Sequence, residues 1–164
     1  MRSILIILLF FSQHSFSTEL ESDSYGAIKI GMSSEEALSH LEGYISDKLS
    51  YDEPYGCYYL SLPRGQKGVH FMVVEEKVSR FDIDDQELKI ETEAGVGIGS
   101  TKKEVLKAYP EIKVSPHPYI APEGEYLEVK LPNGNGIIFE TDHDIVTSFR
   151  LGSYPALGYI EGCL

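Results

Sequence analysis

Hydrophobic and polar residues alternate in several stretches of the chain, as they do in β-strands that bury one face. Leu127, Val129 and Leu131 alternate with polar residues, and residues 132–136 then supply the Asn-Gly pair of a hairpin turn. The pattern predicts antiparallel strands joined by short turns in both halves of the chain. The residues expected to face the core are Tyr58, Leu60, Leu62, Val69, Phe71, Val73, Ser79, Phe81, Ile83, Leu127, Val129, Leu131, Ile137, Phe139, Ile145, Thr147, Phe149 and Leu151.

Three blocks of sequence occur twice in the chain at one constant spacing. A repeat of this length usually corresponds to one supersecondary unit that is used twice. The matching blocks are 30–38 with 98–106, 68–71 with 136–139, and 77–81 with 145–149.

Each repeat contains the signature of a helix N-terminus. Ser33 is followed at the third position by Glu36, and the same spacing separates Thr101 from Glu104. This is the spacing of a capping box, in which the hydroxyl and the carboxylate each satisfy a backbone N–H. We therefore predict an α+β fold: two tandem repeats, each a helix packed on one face of a small antiparallel β-sheet. The other face of each sheet is expected to remain free.

Residues 1–17 are typical of a signal peptide, with a positive charge at Arg2 and an apolar core over residues 4–11. The apolar run is far shorter than the roughly 20 residues that cross a bilayer. We expect a periplasmic or secreted protein with no membrane insertion after signal cleavage. Residues 18–87 are then the first predicted repeat, and residues 88–164 are the second with a C-terminal extension.

Cys57 and Cys163 are the two cysteines of the chain. In an oxidising compartment, two cysteines are expected to pair. Such a bridge closes a long loop, for which the chain-entropy model gives a stabilisation of roughly 4 to 5 kcal/mol. The alternative is a nucleophilic Cys57 that works with a histidine.

The formal net charge of the chain is −12. This balance argues against a nucleic-acid partner, because phosphate binding needs clustered lysine and arginine. It permits a basic protein partner, whose approach would be accelerated by the opposite charge. Alternatively, the charge simply keeps an exported protein in solution.

The start of each repeat resembles the opening of a known superfamily. Residues 30–37 read Ile-Gly-Met-Ser-Ser-Glu-Glu-Ala, and residues 98–105 read Ile-Gly-Ser-Thr-Lys-Lys-Glu-Val. This motif resembles that of the SmpA/OmlA outer-membrane assembly lipoproteins and of the secreted β-lactamase inhibitor proteins, which carry the unit in tandem. The resemblance implies the tandem fold. The inhibitor proteins use tryptophan at their interface and this chain has none, so no individual binding residue is carried over.

The free sheet face is the candidate binding surface, because alternation places tyrosine, methionine and arginine there, which are enriched at protein interfaces. The loop around His117 and Tyr119 is stiffened by two prolines, so it would lose little entropy on binding. An ordinary solvated face and a plain rigid connector are the alternatives. The candidate binding residues are Tyr59, His70, Met72, Arg80, His117, Tyr119, Tyr126, Glu128, Glu140 and Arg150.

Acidic residues with a histidine at residues 140–144 raise the question of a metal site. Consecutive strand residues point to opposite faces, so we interpret them as exposed polar residues of a hairpin turn and predict no metal and no cofactor. A hydrolase that uses Glu140, Asp142 or His143 is a third and weaker hypothesis, since no nucleophile motif accompanies these residues.

We expect a non-catalytic module that binds another protein, of the inhibitor, immunity or envelope-assembly type. The alternative is a carbohydrate- or small-ligand-binding module.

Overall fold

The computed structural model describes residues 20–47, 56–63 and 68–163; the predicted signal peptide, 1–17, lies outside these ranges. Within them, no helix is long and apolar enough to cross a membrane. The helices are α1 (Ser34–His40) and α2 (Lys102–Ala108), and short 3-10 helices cover Gln86–Leu88 and Ala156–Gly158. The strands are β1 (Ser24–Tyr25), β2 (Ile28–Lys29), β3 (Ile45–Ser46), β4 (Cys57–Ser61), β5 (His70–Val74), β6 (Lys77–Ile83), β7 (Ile112–Pro116), β8 (Gly124–Lys130), β9 (Gly136–Asp142) and β10 (Ile145–Gly152).

Strands β3 to β10 form one continuous sheet in the order β3-β4-β5-β6-β10-β9-β8-β7, with antiparallel neighbours throughout. The predicted fold class is therefore wrong. The chain is mostly β, with an eight-stranded sheet and a separate two-stranded sheet of β1 and β2, and it does not form two small sheets with a helix each. The reason is the pairing of β6 with β10 at the centre, where Phe81 lies opposite Leu151. This pairing satisfies backbone groups that two separate sheets would leave at open edges.

The helix N-termini form largely as the sequence predicts. In both cases a glycine with φ of +90°, Gly31 or Gly99, comes before the N-cap residue. The capping box is present around Thr101, which exchanges hydrogen bonds with Glu104. At the first helix, the Ser33 hydroxyl accepts a hydrogen bond from the backbone N–H at the third helical position, 3.2 Å away. These caps fix where two very short helices begin.

The main core lies between the sheet and the helices. Its largest buried side chains are Phe71, Phe81, Phe139 and Phe149, each at most 2% exposed. The rings of Phe71 and Phe81 lie 5.5 Å apart, centroid to centroid, and so do those of Phe139 and Phe149. Ala37 of α1 and Val105 of α2 are fully buried in the same cluster. The helices and residues of the connecting segments, such as Leu20, Ile28 and Val96, therefore pack on one face of the single sheet.

Two strands depart from simple alternation through a β-bulge. Residue Ser79 in β6 and residue Thr147 in β10 are extra residues in their ladders, so the pairing register shifts there. Ser79, Thr147 and Ile145 were expected to face the core, and this prediction is wrong because a bulge exchanges the two faces on one side of it. Val78 and Val146 are buried in their place, each 1% exposed.

Candidate functional site

The C-terminal segment, residues 153–163, crosses the sheet on the face opposite the helices, and we call it the strap. Its apolar residues pack into two small clusters on that face. Ala156 lies in one cluster with Cys57 and Met72, and Leu157 lies in the other with Tyr126 and Ile138.

A disulfide joins the end of the strap to β4. The predicted pairing of Cys57 with Cys163 is confirmed, with a Cα–Cα distance of 5.2 Å. All described cysteines are in this bridge, so the alternative of a free nucleophilic Cys57 does not apply. The strap is thereby fixed to the sheet at its last described residue.

The strap covers much of the sheet face that was predicted to be free. Met72, Arg80, Arg150 and Tyr126 are only 0, 3, 6 and 9% exposed. The expectation of a bare face is wrong over this area, since a segment without regular strand or helix periodicity covers it. In this structure these four predicted binding residues contact the strap.

Arg80 is the main polar anchor of the strap. Its Nη1 donates hydrogen bonds to the backbone oxygens of Ala156 and Tyr159, at 2.9 and 2.8 Å. Its Nη2 donates to the hydroxyl of Tyr59 at 2.8 Å, and its Nε lies 2.9 Å from a carboxylate oxygen of Asp82. Burial raises the pKa values of both Tyr59 and Asp82, and the guanidinium of Arg80 opposes both shifts. Each of the three guanidinium nitrogens of this buried arginine therefore has a hydrogen-bond or ion-pair partner.

Arg150 is the second anchor, one strand away on β10. Its Nε donates to the backbone oxygen of Leu157 at 2.9 Å, and its Nη1 pairs with the carboxylate of Glu140. The guanidinium carbon lies 5.0 Å from the ring centroid of Tyr126, a cation–π geometry. The Nη2 nitrogen of Arg150 is buried and has no hydrogen-bond partner within the described ranges.

His117 joins this network to the loop after β7. One of its ring nitrogens, Nδ1, lies 3.1 Å from the backbone nitrogen of Tyr119, whose N–H donates to it. The other ring nitrogen, Nε2, lies 3.1 Å from a carboxylate oxygen of Glu140. The hydroxyl of Tyr119 in turn donates to Glu161 of the strap, and this hydrogen bond raises the pKa of Tyr119. The loop and the strap are thus held to each other.

The start of the strap rests on a glycine of β9. A Cβ atom at Gly136 would come within 2.7 Å of both the Tyr154 hydroxyl and the Leu157 side chain. The Tyr154 hydroxyl donates to Glu128 at 2.7 Å. Burial and this carboxylate raise the pKa of Tyr154 to about 12, and the same hydrogen bond lowers the pKa of Glu128. Close packing at Gly136 is what lets the strap lie flat on the sheet.

An open cleft of about 420 Å³ remains beside the strap, and we call it the strap cleft. Its floor is formed by side chains of β4, β5, β6 and β10, and one wall is the strap itself. The lining residues are Asp47, Tyr59, Ser61, His70, Arg80, Asp82, Asp84, Arg150, Ile160, Glu161 and Gly162. The sequence did not place Asp47, Asp84, Ile160, Glu161 or Gly162 on the candidate binding face, since they lie on loops and on the strap, outside the alternating pattern.

Five large apolar side chains are exposed on the strap and on the loop after β7: Tyr154, at 41% and at the start of the strap, and four others. Tyr119 is 63% exposed, Ile120 38%, Tyr159 38% and Ile160 46%. The Tyr119 hydroxyl links the loop to the strap, since it contacts Glu161, the sequence neighbour of Ile160. We call these four residues the strap surface.

The ten predicted binding residues fall into four groups. Met72, Arg80, Tyr126, His117 and Arg150 are buried under or beside the strap. Tyr59 and His70 line the strap cleft, and Tyr119 belongs to the strap surface. Glu128 and Glu140 hold the strap, directly or through Arg150. Their role in binding a partner stays a prediction.

The residues considered for metal or hydrolytic chemistry are not brought together as a site. Glu140 is engaged by Arg150 and His117, whereas His143 is exposed in the hairpin turn and contacts the neighbouring Asp142. In the described ranges, no group of three or more histidine, cysteine, aspartate and glutamate side chains could hold a metal ion.

No protein-family model matches the chain, and no curated protein matches it. A solved structure of an extracellular protein containing an SCP domain, from Bacillus anthracis strain Ames, is similar in fold. The sequence identity is 16% and the TM-score 0.53, and the match covers 76% of this chain and 44% of that one. This chain therefore corresponds to less than half of that protein, and at this identity the likeness concerns the fold alone.

The expectation of an exported, disulfide-bonded protein is confirmed in its coarse form. The Cys57–Cys163 bridge is of the kind that forms and persists outside the reducing cytosol. On the face opposite the helices, the sheet carries the fixed strap, the open strap cleft and the exposed apolar residues of the strap surface.

Proposed function

We propose that this chain is an exported, non-catalytic module that binds another protein, as inhibitors, immunity proteins or envelope assembly factors do. The strap surface and the strap cleft together would form the binding face. The periplasm and the extracellular space are both places where such a module could act.

The observation that carries the proposal is that exposed apolar side chains sit on a segment that is held rigidly. The strap is fixed by a disulfide at Cys163 and by hydrogen bonds from two buried arginines, Arg80 and Arg150. Exposed aromatic and branched residues on a pre-organised backbone lose little entropy when they are buried by a partner. A surface of this kind is a better candidate for binding than the sheet face predicted from the sequence.

The proposed lack of catalytic activity has support from the partners of the polar side chains. Arg80, Arg150 and Glu140 are engaged in holding the strap, and His117 takes part in the same network. Groups with structural partners of this kind are not poised to transfer protons to a substrate. Relatedness to the β-lactamase inhibitor proteins and the SmpA/OmlA lipoproteins stays a prediction that rests on the repeat motif.

The test is affinity capture with the purified mature chain from the envelope and culture-medium fractions of the source organism. Any captured protein is then purified, and its affinity for the chain is measured by calorimetry. The variant Tyr119→Ala/Tyr159→Ala/Ile160→Ala is expected to bind more than about tenfold more weakly, because it removes three exposed side chains that the partner would bury. The matched control, Leu88→Ala/Leu106→Ala/Ile145→Ala, removes exposed apolar side chains elsewhere and should bind normally. Equal binding by both variants, or no captured protein from either fraction, contradicts the proposal.

A carbohydrate- or small-ligand-binding module is the second proposal, and the strap cleft favours it. Its volume of about 420 Å³ falls in the range of small-molecule sites. Tyr59 and His70 bring ring faces and hydrogen-bonding atoms to its lining. Clear binding on a glycan array that is lost in Tyr59→Ala would favour this proposal over the first.

A further inference from the structure

We infer that the last part of the strap, residues 159–163, is a lid that a dithiol reductant opens at the Cys57–Cys163 bridge. We call these residues the lid. When the lid opens, residues 153–158 stay bound to the sheet. The consequence for a partner rests on the proposed protein-binding function, whereas the opening itself does not.

The first part of the strap is held by buried contacts. Leu157 is fully buried and Ala156 is buried next to it, each in an apolar cluster on the sheet. The buried guanidinium of Arg150 donates to the backbone oxygen of Leu157, and that of Arg80 donates to the oxygen of Ala156. Apolar burial and satisfied buried donors both stabilise this attachment. Residues 153–158 therefore remain on the sheet without the disulfide.

The lid has a different exposure from the first part of the strap. Tyr159, Ile160 and Glu161 are exposed, and Gly162 and Cys163 are only partly buried. Little apolar area is therefore lost to water when the lid leaves the sheet, so the hydrophobic effect holds it weakly.

The polar contacts of the lid can be broken at small cost. The Tyr119 hydroxyl donates to Glu161 in an exposed hydrogen bond, which water replaces when it breaks. Arg80 donates to the backbone oxygen of Tyr159, but the same Nη1 atom also donates to Ala156 and keeps that acceptor after opening. No donor atom of Arg80 is left unsatisfied, so the covalent bridge is the main attachment of the lid.

Thiol–disulfide exchange opens the bridge from the side of Cys163, which is the more exposed cysteine; Cys57 is 8% exposed. A thiolate of the dithiol attacks the Cys163 sulfur, a mixed disulfide forms, and the Cys57 sulfur leaves as a thiolate that takes up a proton. The second thiol of the reductant then displaces the Cys163 sulfur. The dithiol is thereby oxidised to a disulfide, and both cysteines are reduced to thiols.

Opening the lid changes both parts of the proposed binding face. Ile160, Glu161 and Gly162 line the strap cleft, and Tyr159 and Ile160 belong to the strap surface. A partner that buries these residues in the reduced chain has to order them first, which costs conformational entropy. The oxidised chain is therefore the binding form, and the reduced chain is the form that releases the partner.

The lid is tested without a partner. Dithiothreitol, a dithiol, is added to the isotopically labelled mature chain without denaturant, and amide nitrogen relaxation gives the backbone order parameters. Residues 160–162 should have the value of a rigid backbone, about 0.85, in the oxidised chain and fall below about 0.6 in the reduced chain. Residues 156–157 and β6 should keep their values. In the matched control, Cys57→Ser/Cys163→Ser, the lid should be mobile with and without dithiothreitol.

Three results would overturn the inference. The first is an order parameter at residues 160–162 that stays high after reduction. The second is the loss of the folded spectrum of the whole chain, because the two parts of the strap are then not held independently. The third is a bridge that dithiothreitol reduces only after urea is added, because the bridge is then closed to the reductant in the folded chain.

The captured partner separates this inference from the proposed function. It should bind the reduced chain more than about tenfold more weakly than the oxidised chain. Equal binding of the two redox forms overturns the control by redox state, and the proposed function still stands if the strap-surface variant loses the partner. The proposed function fails if that variant binds normally, and the order parameters then decide on the lid alone.

Discussion

The Nη1 atom of Arg80 and the backbone oxygen of Tyr159 are joined by a hydrogen bond of 2.8 Å. Arg80 lies on β6, one of the two central strands of the sheet, and Tyr159 lies on the strap. This contact connects a buried side chain of the sheet with a strap residue whose own side chain is 38% exposed. Whatever holds the strap in place therefore also determines the shape of the proposed binding face.

Replacing Arg80 tests that connection. Arg80→Met leaves the carboxylate of Asp82 and two strap carbonyl oxygens without their donor, so we expect the free energy of unfolding to fall by about 2 to 4 kcal/mol. Urea denaturation measures the change. Lys103→Met, on the exposed side of α2, is the control and should stay within about 0.5 kcal/mol of the wild type. A loss below about 1 kcal/mol for Arg80→Met would show that the strap does not depend on it.

The disulfide is expected to contribute more than any single hydrogen bond. Cys57 and Cys163 are 106 residues apart, and a loop of this length gives a stabilisation of roughly 4 to 5 kcal/mol in the chain-entropy model. The double variant Cys57→Ser/Cys163→Ser should lose about this amount in urea denaturation. Reduction of the wild type should lower its stability to the level of the variant, and a reduced chain as stable as the oxidised one would be inconsistent with this role.

Gly136 and Gly158 form a matched pair for testing how closely the strap packs. Gly136→Ala places a methyl group within 2.7 Å of strap side chains and 2.9 Å of the backbone oxygen of Val129, so we expect a loss of about 1 to 3 kcal/mol. At Gly158 no atom lies within 4 Å of the added Cβ, so Gly158→Ala should be nearly neutral. Thermal unfolding of both variants gives the comparison. Equal effects would mean that the strap does not rest on β9 as described.

The hydrogen bond between Tyr154 and Glu128 predicts a dependence on pH at both ends of the scale. The pKa of Glu128 is lowered in the folded protein, so its contribution to stability is present above its unfolded pKa and is lost as the pH falls through its folded pKa. The pKa of Tyr154 is raised to about 12 in the folded protein. Its contribution to stability is therefore present below its unfolded pKa and is lost as the pH rises through its folded pKa of about 12.

The variant Tyr154→Phe should therefore lose less stability than the wild type when the pH falls through the acid range. In the wild type, the ultraviolet absorbance of phenolate should show several tyrosines ionising later than an ordinary tyrosine, with Tyr59, Tyr119 and Tyr154 among them, and Tyr154→Phe should reduce that late absorbance by one tyrosine. Parallel acid-denaturation curves for the two proteins would argue against a hydrogen bond of any importance here.

Local features of this fold could be predicted from the sequence, because they depend on neighbouring residues. The alternation over residues 127–131 and the turn at residues 132–136 predicted the strands β8 and β9, and the spacing of Thr101 and Glu104 predicted the helix cap. The pairing of Cys57 with Cys163 followed from there being two cysteines in an exported chain.

The features that were missed depend on contacts between distant parts of the chain. The pairing of β6 with β10 merges the strands into one sheet, and no pattern within either strand indicates its neighbour. The bulges at Ser79 and Thr147 add one residue each, which alternation cannot reveal. The strap has no regular period, and its position is set by Arg80 and other side chains of the sheet.

The candidate site was predicted only in part, because it too depends on contacts between distant parts of the chain. Tyr59 and His70 were placed on the correct face by alternation, and both line the strap cleft. Arg80 and Arg150 were also placed on that face, but the strap buries them. The cleft itself could not be predicted, because one of its walls is a C-terminal segment that folds back onto the sheet.

Hydrogen–deuterium exchange of the mature chain, with and without its captured partner, tests the proposed binding face most directly. We predict that the partner slows exchange in residues 117–123 and 153–163 and leaves α1 and α2 unchanged. Slower exchange confined to the helices, with no change in the strap, would contradict the account.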